Sequence, residues 1–178
     1  MGIGGNAASV FVSSGNQIAA FSKATWQMET VITLSQLPHA ALGNLATHDN
    51  CILVTDRMHN QVHRVRIDTQ QLVASFPTQR TGLQQFAYPR GVAVDSRGRL
   101  FVSDFAGHSV RAVAADDGSL LWTLGTPGES GSEDGRFNVP LGLAVVTGGP
   151  REQLIVSYYG NSRLQVFSCE SLFYQLIS

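Results

Sequence analysis

Short apolar segments separated by polar turns run along this chain, and this pattern predicts β-strands. The clearest series lies between Phe86 and Leu124. Its polar breaks contain residues that favour tight turns, among them Gly98 and the Asp117-Gly118 pair. Four short strands in succession, joined by such turns, predict an antiparallel sheet. The apolar segments are residues 92–94, 100–103, 110–113 and 120–124.

The same unit recurs along the chain. The centre of the second predicted strand has equivalents upstream and downstream, and a Phe-x-x-Pro-x-Gly motif precedes two of the copies. A period of about 40 to 50 residues is typical of β-propeller blades, each of which is a four-stranded antiparallel sheet. The repeats therefore predict an all-β propeller. The equivalent segments are Val12-Ser13-Ser14, Val54-Thr55-Asp56, Val102-Ser103-Asp104 and Val156-Ser157-Tyr158, and the motif occurs at Phe86-x-x-Pro89-x-Gly91 and Phe137-x-x-Pro140-x-Gly142.

At these positions the chain resembles the NHL-repeat family of β-propellers. That family's blade pattern runs Pro-x-Gly-Val-Ala-Val-Asp, a turn with Gly, Val-Ala-Asp, and then Asn-His-Arg-Val-Gln-Val-Phe. Two departures affect the polar bonds of the blade, because Tyr158 stands at an Asp position and Ser109 at an Arg position. One copy matches at Pro89, Gly91, Val92, Ala93, Val94, Asp95, Gly98, Val102, Asp104, His108 and Val110, and the next at Pro140, Gly142, Ala144, Val145, Val156, Asn161, Arg163, Gln165, Val166 and Phe167.

The blades are expected to form one segment over residues 1–178, with approximate boundaries at 1–37, 38–85, 86–136 and 137–178. The first blade is expected to be partial and to lack its inner strand, because the Gly-rich residues 1–8 leave no room for one. Propellers avoid exposed sheet edges by closing their ring. We therefore expect an incomplete ring, either completed by a longer chain, completed by a second copy in a homodimer, or left as an open arc.

The composition fits a globular protein. Hydrophobic residues make up 43% of the chain and charged residues 14%, and the net charge is −1 at pH 7. This balance gives no general attraction to nucleic acid or to an anionic membrane. No apolar run approaches the ~18 residues of a membrane span, and Cys51 and Cys169 are expected to be free buried thiols. The expected location is cytoplasmic, with no membrane partner.

The candidate catalytic and metal-binding groups do not follow known patterns. Asp56 and Asp104 hold the same blade position and are expected to bond turn backbone or a third-strand residue. The histidines do not repeat a zinc spacing, and the acidic loop lacks a calcium-loop spacing. The chain has no nucleophile elbow, P-loop or paired-Cys motif, so we expect no catalytic residue, no metal and no cofactor. The groups considered are His48, His59, His63, His108, Glu129, Glu133 and Asp134.

Rigid blades that hold variable loops are suited to binding, because binding residues concentrate on such loops. The sequence therefore favours a non-catalytic interaction module or scaffold whose partner is a protein. Phe105 and Tyr159 hold equivalent places in adjacent blades, where they either line one patch or cover the space between blades. Exposed aromatic and Arg side chains are common interface anchors. The candidate binding residues are Arg57, Met58, His59, Phe105, His108, Tyr158, Tyr159 and Asn161.

Two other functions stay open at this point. Some NHL propellers bind RNA through a positive face, and a basic cluster in the second blade includes Arg64 and Arg66, although no aromatic residues interleave with them. Some NHL-like propellers are lyases or lactonase-type hydrolases with a metal in the central channel. Such a site needs acidic or His side chains at the start of several inner strands, where this sequence has hydrophobic ones.

Overall fold

The computed structural model describes residues 1–77, 85–149, 151–160 and 162–169, and this part of the chain consists of strands, turns and loops. It contains fifteen strands in four antiparallel sheets that follow chain order. No helix in it is long and apolar enough to cross a membrane. The first sheet contains β1 (Gly2–Gly5), β2 (Ser9–Ser14), β3 (Gln17–Ser22) and β4 (Met28–Thr33), and the second contains β5 (Leu42–His48), β6 (Cys51–Asp56), β7 (Gln61–Arg66) and β8 (Leu72–Phe76).

The remaining two sheets continue the same order. The third contains β9 (Pro89–Val94), β10 (Arg99–Asp104), β11 (Ser109–Ala114) and β12 (Leu120–Leu124), and the fourth contains β13 (Pro140–Val146), β14 (Gln153–Tyr158) and β15 (Arg163–Ser168). The outer strand predicted over residues 172–177 lies outside the described residues. The inner strands are neighbours, since β1 contacts β5, β5 contacts β9 and β9 contacts β13. The four sheets are therefore blades of a β-propeller, as the repeats predicted.

The first blade has an inner strand, so the prediction that it lacks one was wrong. β1 pairs with β2 from Gly2 opposite Ser13 to Gly5 opposite Val10. A side chain at Gly4 would place its Cβ 2.5 Å from the carbonyl oxygen of Leu45 in the second blade. Gly is required there because two backbones approach closely. Because three of its four residues are Gly, β1 also lacks the pattern of apolar residues that predicted the other strands.

The core lies between neighbouring blades. In β6, Ile52 and Val54 contact the cluster shared with the first blade, and Leu53 contacts the cluster shared with the third. Because side chains alternate between the two faces of a strand, a middle strand with both faces covered is apolar throughout. Phe86 and Phe137, the first residues of the repeated motif, are both buried between blades. The motif therefore marks the position where each blade joins its predecessor.

The inner strands of the second, third and fourth blades share a β-bulge near their first residues. At each bulge two inner-strand residues face one residue of the second strand. A bulge bends the strand, redirects side chains and leaves backbone groups without their ladder partners. The bulged pairs are Gly43-Asn44 opposite Thr55, Arg90-Gly91 opposite Ser103 and Leu141-Gly142 opposite Ser157.

Candidate functional site

The inner strands begin at the end of the blades where the second strands end. Asp56, the last residue of β6, pairs with Leu42, the first residue of β5, and Asp104 pairs with Pro89 in the same way. The connections between second and third strands lie at this end, which we call the loop face. The first residues of these connections in the second, third and fourth blades are Arg57, Phe105 and Tyr159.

A pocket of about 260 Å³ opens where the bulged inner strands of three blades converge. We call it the axial pocket. The bulges direct their residues toward it, so blades that are distant in sequence contribute to one concave surface. Its lining contains two guanidinium groups and, within the described part of the chain, no carboxylate, imidazole or thiol. The lining residues are Met1, Gly43, Asn44, Arg57, Arg90 and Leu141.

The two arginines of the axial pocket share one aromatic ring. The Cζ atom of Arg57 lies 5.8 Å from the centroid of the Tyr88 ring, and that of Arg90 lies 4.8 Å from the same centroid. Arg90 also lies 5.2 Å from the centroid of Phe105, whose ring is 6.0 Å from that of Tyr88. Cations over aromatic faces are attracted by the ring quadrupole. We call Arg57, Tyr88, Arg90 and Phe105 the Arg–Tyr cluster.

The arginines of this cluster have unused hydrogen-bonding capacity. Their Nε atoms are buried and have no hydrogen-bond partner among the described residues. No carboxylate of the described residues forms an ion pair with either guanidinium group. Guanidinium groups present a planar fork of donors that matches a carboxylate or a phosphate. Two like charges close together without an anion therefore make this part of the loop face a candidate anion site.

The backbone that positions Tyr88 has an uncommon conformation. Tyr88 has φ 65°, in the left-handed region that few residues other than Gly adopt. Its N–H donates a 2.9 Å hydrogen bond to the side-chain oxygen of Asn60 in the second blade. Val139, which precedes Pro140 as Tyr88 precedes Pro89, has φ 51°. The conformation is thus repeated before two inner strands, and in the third blade it places the centroid of the Tyr88 ring within 5.8 Å of both arginine Cζ atoms.

The other predicted binding residues lie in different surroundings. Met58 and Tyr159 are exposed on the loop face, at 64% and 76%. Tyr158 is only 2% exposed and its ring contacts Phe137 edge-on at 5.6 Å, so it belongs to the core. His108 accepts a 3.2 Å hydrogen bond at Nδ1 from the N–H of Val139 and so fixes the start of the fourth blade. Asn161 lies outside the described residues.

Phe105 and Tyr159 have different roles despite their equivalent positions. Phe105 contacts Tyr88 and Arg90 in the Arg–Tyr cluster, whereas Tyr159 is exposed. Phe105 therefore supports the arginines, and Tyr159 extends the exposed surface of the loop face.

Asp56 and Asp104 make the bonds expected from their shared position. Asp56 Oδ1 accepts hydrogen bonds from the N–H groups of Met58 at 2.9 Å and Ala41 at 3.1 Å, and its Oδ2 is 3.0 Å from His63 Nε2 and 2.6 Å from His59 Nδ1. Burial acts to raise the pKa of Asp56, but the hydrogen bonds from His63 and His59 outweigh it and hold that pKa well below its usual range. Asp56 is therefore ionised at neutral pH.

Arg64 and Arg66, the candidate RNA-binding residues, do not belong to the Arg–Tyr cluster. Arg64 forms a 3.0 Å ion pair with Asp116 of the third blade, and Arg66 forms a 3.0 Å ion pair with Asp68. In the β6–β7 ladder, Arg66 lies opposite Cys51, at the end of β7 that is remote from the loop face. Both guanidinium groups are thus already matched with carboxylates.

Tyr88 and Arg90 were not among the predicted binding residues, because both flank Pro89 within the repeated motif and lie outside the predicted loops. One signal was present. Arg90 lies next to Gly91, where the following copy has the apolar Leu141 next to Gly142. A charged residue at the bulge position of one blade alone indicates a local role.

Comparisons with known proteins agree with the fold. A model of the NHL repeat matches residues 86–119. Over 95 residues the chain is 34% identical to peptidyl-glycine alpha-amidating monooxygenase B of Xenopus laevis, and 33% identical to monooxygenase A of that organism. These alignments cover 52% of this chain and 10% of each relative, so the chain spans about a tenth of the length of the curated relatives it matches.

Two solved structures share the architecture. Glutaminyl cyclase from Myxococcus xanthus matches with a TM-score of 0.65 and 13% identity over 99% of this chain and 73% of that one. A protein of unknown function from Bacteroides caccae matches with a TM-score of 0.65 and 15% identity over 99% of this chain and 58% of that one. At such low identity the likeness shows the fold alone.

Proposed function

We propose that this β-propeller, in which residues 86–119 match the NHL repeat, is a non-catalytic interaction module whose loop face binds an acidic segment of a partner protein. One observation carries the proposal. Arg57 and Arg90 share the ring of Tyr88 beside an axial pocket that no described carboxylate lines.

The chemistry of the arginines favours a carboxylate as the bound group. Each buried Nε atom lacks an acceptor within the described residues, and an unsatisfied buried donor costs about 1–3 kcal/mol. A carboxylate accepts two parallel hydrogen bonds from one guanidinium group, and its charge relieves the repulsion between Arg57 and Arg90. An Asp or Glu side chain of a partner supplies this group.

The surroundings of the cluster favour a protein partner. Exposed Met58 and Tyr159 provide apolar and aromatic surface on the same face. Protein interfaces are enriched in Tyr, Met and Arg, and a few such residues dominate their binding energy. RNA sites instead depend on many basic contacts to phosphates and on open aromatic rings for base stacking. Here Tyr88 lies against two guanidinium groups, and Arg64 and Arg66 are matched with carboxylates.

The lining of the axial pocket also favours binding over catalysis. General acid–base and nucleophilic catalysis require a carboxylate, imidazole, thiol or activated hydroxyl near the substrate. Within the described residues, the pocket offers arginines, one amide, backbone and apolar groups. A channel metal would need ligands at the start of the inner strands, and β5, β9 and β13 begin with Leu42, Pro89 and Pro140.

Fluorescence anisotropy with a labelled peptide tests the proposal. The probe is a fluorescein-labelled peptide with several Glu residues in a Gly-Ser background, and the matched probe has Gln in place of Glu. We expect the protein to bind the Glu peptide and not the Gln peptide. The R57Q/R90Q variant should weaken binding at least about tenfold, because interface arginines are frequent hot spots. The R64Q/R66Q variant, which removes the same charge elsewhere, should bind as wild type does.

Three results would overturn the proposal. They are no binding of the Glu peptide, equal binding of both peptides, or equal losses in R57Q/R90Q and R64Q/R66Q. A labelled single-stranded poly-uridine RNA serves as a further probe. If the RNA binds in place of the peptide and is released by R57Q/R90Q, the partner is a nucleic acid and the assignment to a protein is wrong.

A further inference from the structure

A second group of polar side chains lies at the base of the connection between β6 and β7. Asp56 Oδ2 is 2.6 Å from His59 Nδ1 and 3.0 Å from His63 Nε2. The three candidate ligand atoms lie within 4.8 Å of one another. We call Asp56, His59 and His63 the carboxylate–imidazole cluster. None of the three lines the axial pocket, so the cluster is separate from the proposed anion site.

The third blade shows what this position requires. There the buried carboxylate of Asp104 forms a 2.7 Å ion pair with Arg111, which holds the strand position that His63 holds in the second blade. A buried carboxylate needs a compensating cation. Among the described residues, the ion-pair partners of Asp56 are the two histidines and no Lys or Arg. A cation bound between these three side chains would supply the compensating charge that Arg111 supplies in the third blade.

The donor atoms match the preferences of one class of cation. One carboxylate oxygen and two imidazole nitrogens are ligands that Zn²⁺ and similar divalent ions bind, with one tetrahedral position left for water. At metal–ligand distances of about 2.0–2.1 Å, tetrahedral ligand atoms lie about 3.3 Å apart. A bound ion therefore requires shifts of the ligand side chains, because the two contacts to Asp56 must lengthen and the two imidazole nitrogens, which lie within 4.8 Å of each other, must settle at the tetrahedral spacing. The side chain of His59 is 38% exposed, so it has room to move.

The groups behind the cluster hold its ligands in place. His63 Nδ1 lies 2.7 Å from the hydroxyl oxygen of Ser75 on β8, a contact that fixes the orientation of the ring and leaves Nε2 toward Asp56. Asp56 Oδ1 is occupied by backbone N–H groups, so Oδ2 is the oxygen available to an ion. Partners of this kind typically change metal affinity by about 10–100-fold.

We propose that Asp56, His59 and His63 bind a divalent transition-metal ion of the Zn²⁺ class. The ion takes the place that the guanidinium group of Arg111 takes in the third blade. It also fixes the connection that carries Arg57 and Met58, so occupancy of the metal site stabilises the loop face.

Cobalt titration of the protein, freed of any purification tag, tests the site. Four-coordinate Co²⁺ gives visible d–d absorption and occupies nitrogen and oxygen sites suited to Zn²⁺. We expect one Co²⁺ per chain, and at least about a tenfold loss of affinity in H63R and in H59A. H63R recreates the Asp–Arg pair of the third blade, so it removes a ligand while keeping a cation beside Asp56. H48A removes a histidine outside the cluster and should leave Co²⁺ binding unchanged.

Thermal unfolding provides a second readout. A ligand that binds only the folded state raises Tm, so Zn²⁺ should raise the Tm of the wild type and of H48A but not that of H63R. The proposal is overturned if the wild type binds no Co²⁺, if H63R and H59A bind it as well as the wild type, or if H48A loses it equally. The peptide-binding assay is run in the presence of EDTA, which removes any bound metal ion. Its outcome then tests the proposed function separately from the metal site.

Discussion

The hydroxyl group of Ser103 donates a 2.9 Å hydrogen bond to the carbonyl oxygen of Leu141 and so joins the third blade to the fourth. The Ser103 hydroxyl oxygen also accepts a 2.7 Å hydrogen bond from the N–H of Gly91, which lies in the bulge of β9. Both backbone groups are freed from the regular ladder by bulges, and buried backbone groups need partners. One hydroxyl thus satisfies both of them.

This bond is repeated around the propeller. The hydroxyl of Ser13 in the first blade donates to the carbonyl oxygen of Gly43 in the second at 2.5 Å, and that of Thr55 in the second donates to Arg90 in the third at 3.0 Å. The equivalent Ser157 lies against its own inner strand and accepts a 3.0 Å hydrogen bond from Gly142. The small hydroxyl residue in the second strand of each of the first three blades is therefore part of the connection to the next blade.

Replacement of Ser103 tests this role. In S103A, Gly91 N–H and the Leu141 carbonyl lose their buried partner, so we expect the free energy of unfolding to fall by about 1–3 kcal/mol. Urea denaturation followed by tryptophan fluorescence measures the change. S130A removes a hydroxyl from an exposed loop residue and should cost less than about 0.5 kcal/mol. Equal stability of S103A and S130A would show that the hydroxyl does not join the blades.

Gly91 is required by the close approach of two inner strands. A Cβ at this position would collide with the carbonyl oxygen of Leu141 and would lie 3.0 Å from the Ser103 hydroxyl. We expect G91A to lower the free energy of unfolding by about 3 kcal/mol, because a packed interior accommodates added atoms only by strain. At Gly149 the nearest atom to an added Cβ is 3.6 Å away, so G149A should be nearly neutral in the same denaturation assay. A G91A variant as stable as G149A would contradict the observed contact.

The Arg64–Asp116 ion pair links the second and third blades, but it should contribute little to stability. Its Asp116 side chain is 71% exposed, and exposed pairs typically contribute less than about 1 kcal/mol. A double-mutant cycle with R64Q and D116N should give a coupling energy below this value that decreases with added salt. A salt-independent coupling above about 2 kcal/mol would instead assign the pair a major role between blades.

The stability of the fold should decrease at alkaline pH through Cys169. Burial, with a further contribution from the Asp95 carboxylate, raises the pKa of the Cys169 thiol to about 11. A thiol in the unfolded chain has a pKa near 8.5, so between about pH 8 and pH 11 the unfolded state has lost a proton that the folded state keeps. The free energy of unfolding therefore falls as the pH rises through this range.

Urea denaturation under reducing conditions, at about pH 7 and about pH 10, measures this dependence. The fall in the free energy of unfolding should be smaller in C169A, which has no thiol to titrate at this position. If C169A and the wild type show the same fall, other groups cause the alkaline destabilisation.

Most strands of the blades could be predicted from the amino-acid sequence alone. Strands and turns depend on residues close together in the chain, so the apolar segments and Gly-containing turns were sufficient to predict the strands of the third blade. The repeat of the Val-Ser-Asp segment and of the Phe-x-x-Pro-x-Gly motif extended that prediction to the other blades. The pairing of Asp104 with a third-strand residue also followed from position, since the strands β10 and β11 are neighbours in one hairpin.

The contacts between side chains of different blades could not be predicted in this way, because they depend on the three-dimensional fold. Arg57 and Arg90 belong to different blades and converge because the bulge of β9 directs Arg90 toward the axial pocket, a change of one residue in register that the apolar pattern does not record. His59 reaches Asp56 through the fold of one connection, and β1 exists because Gly2–Gly5 can approach a neighbouring backbone. Local sequence specifies the strand, whereas the contacts between blades depend on how strands twist and close around a common axis.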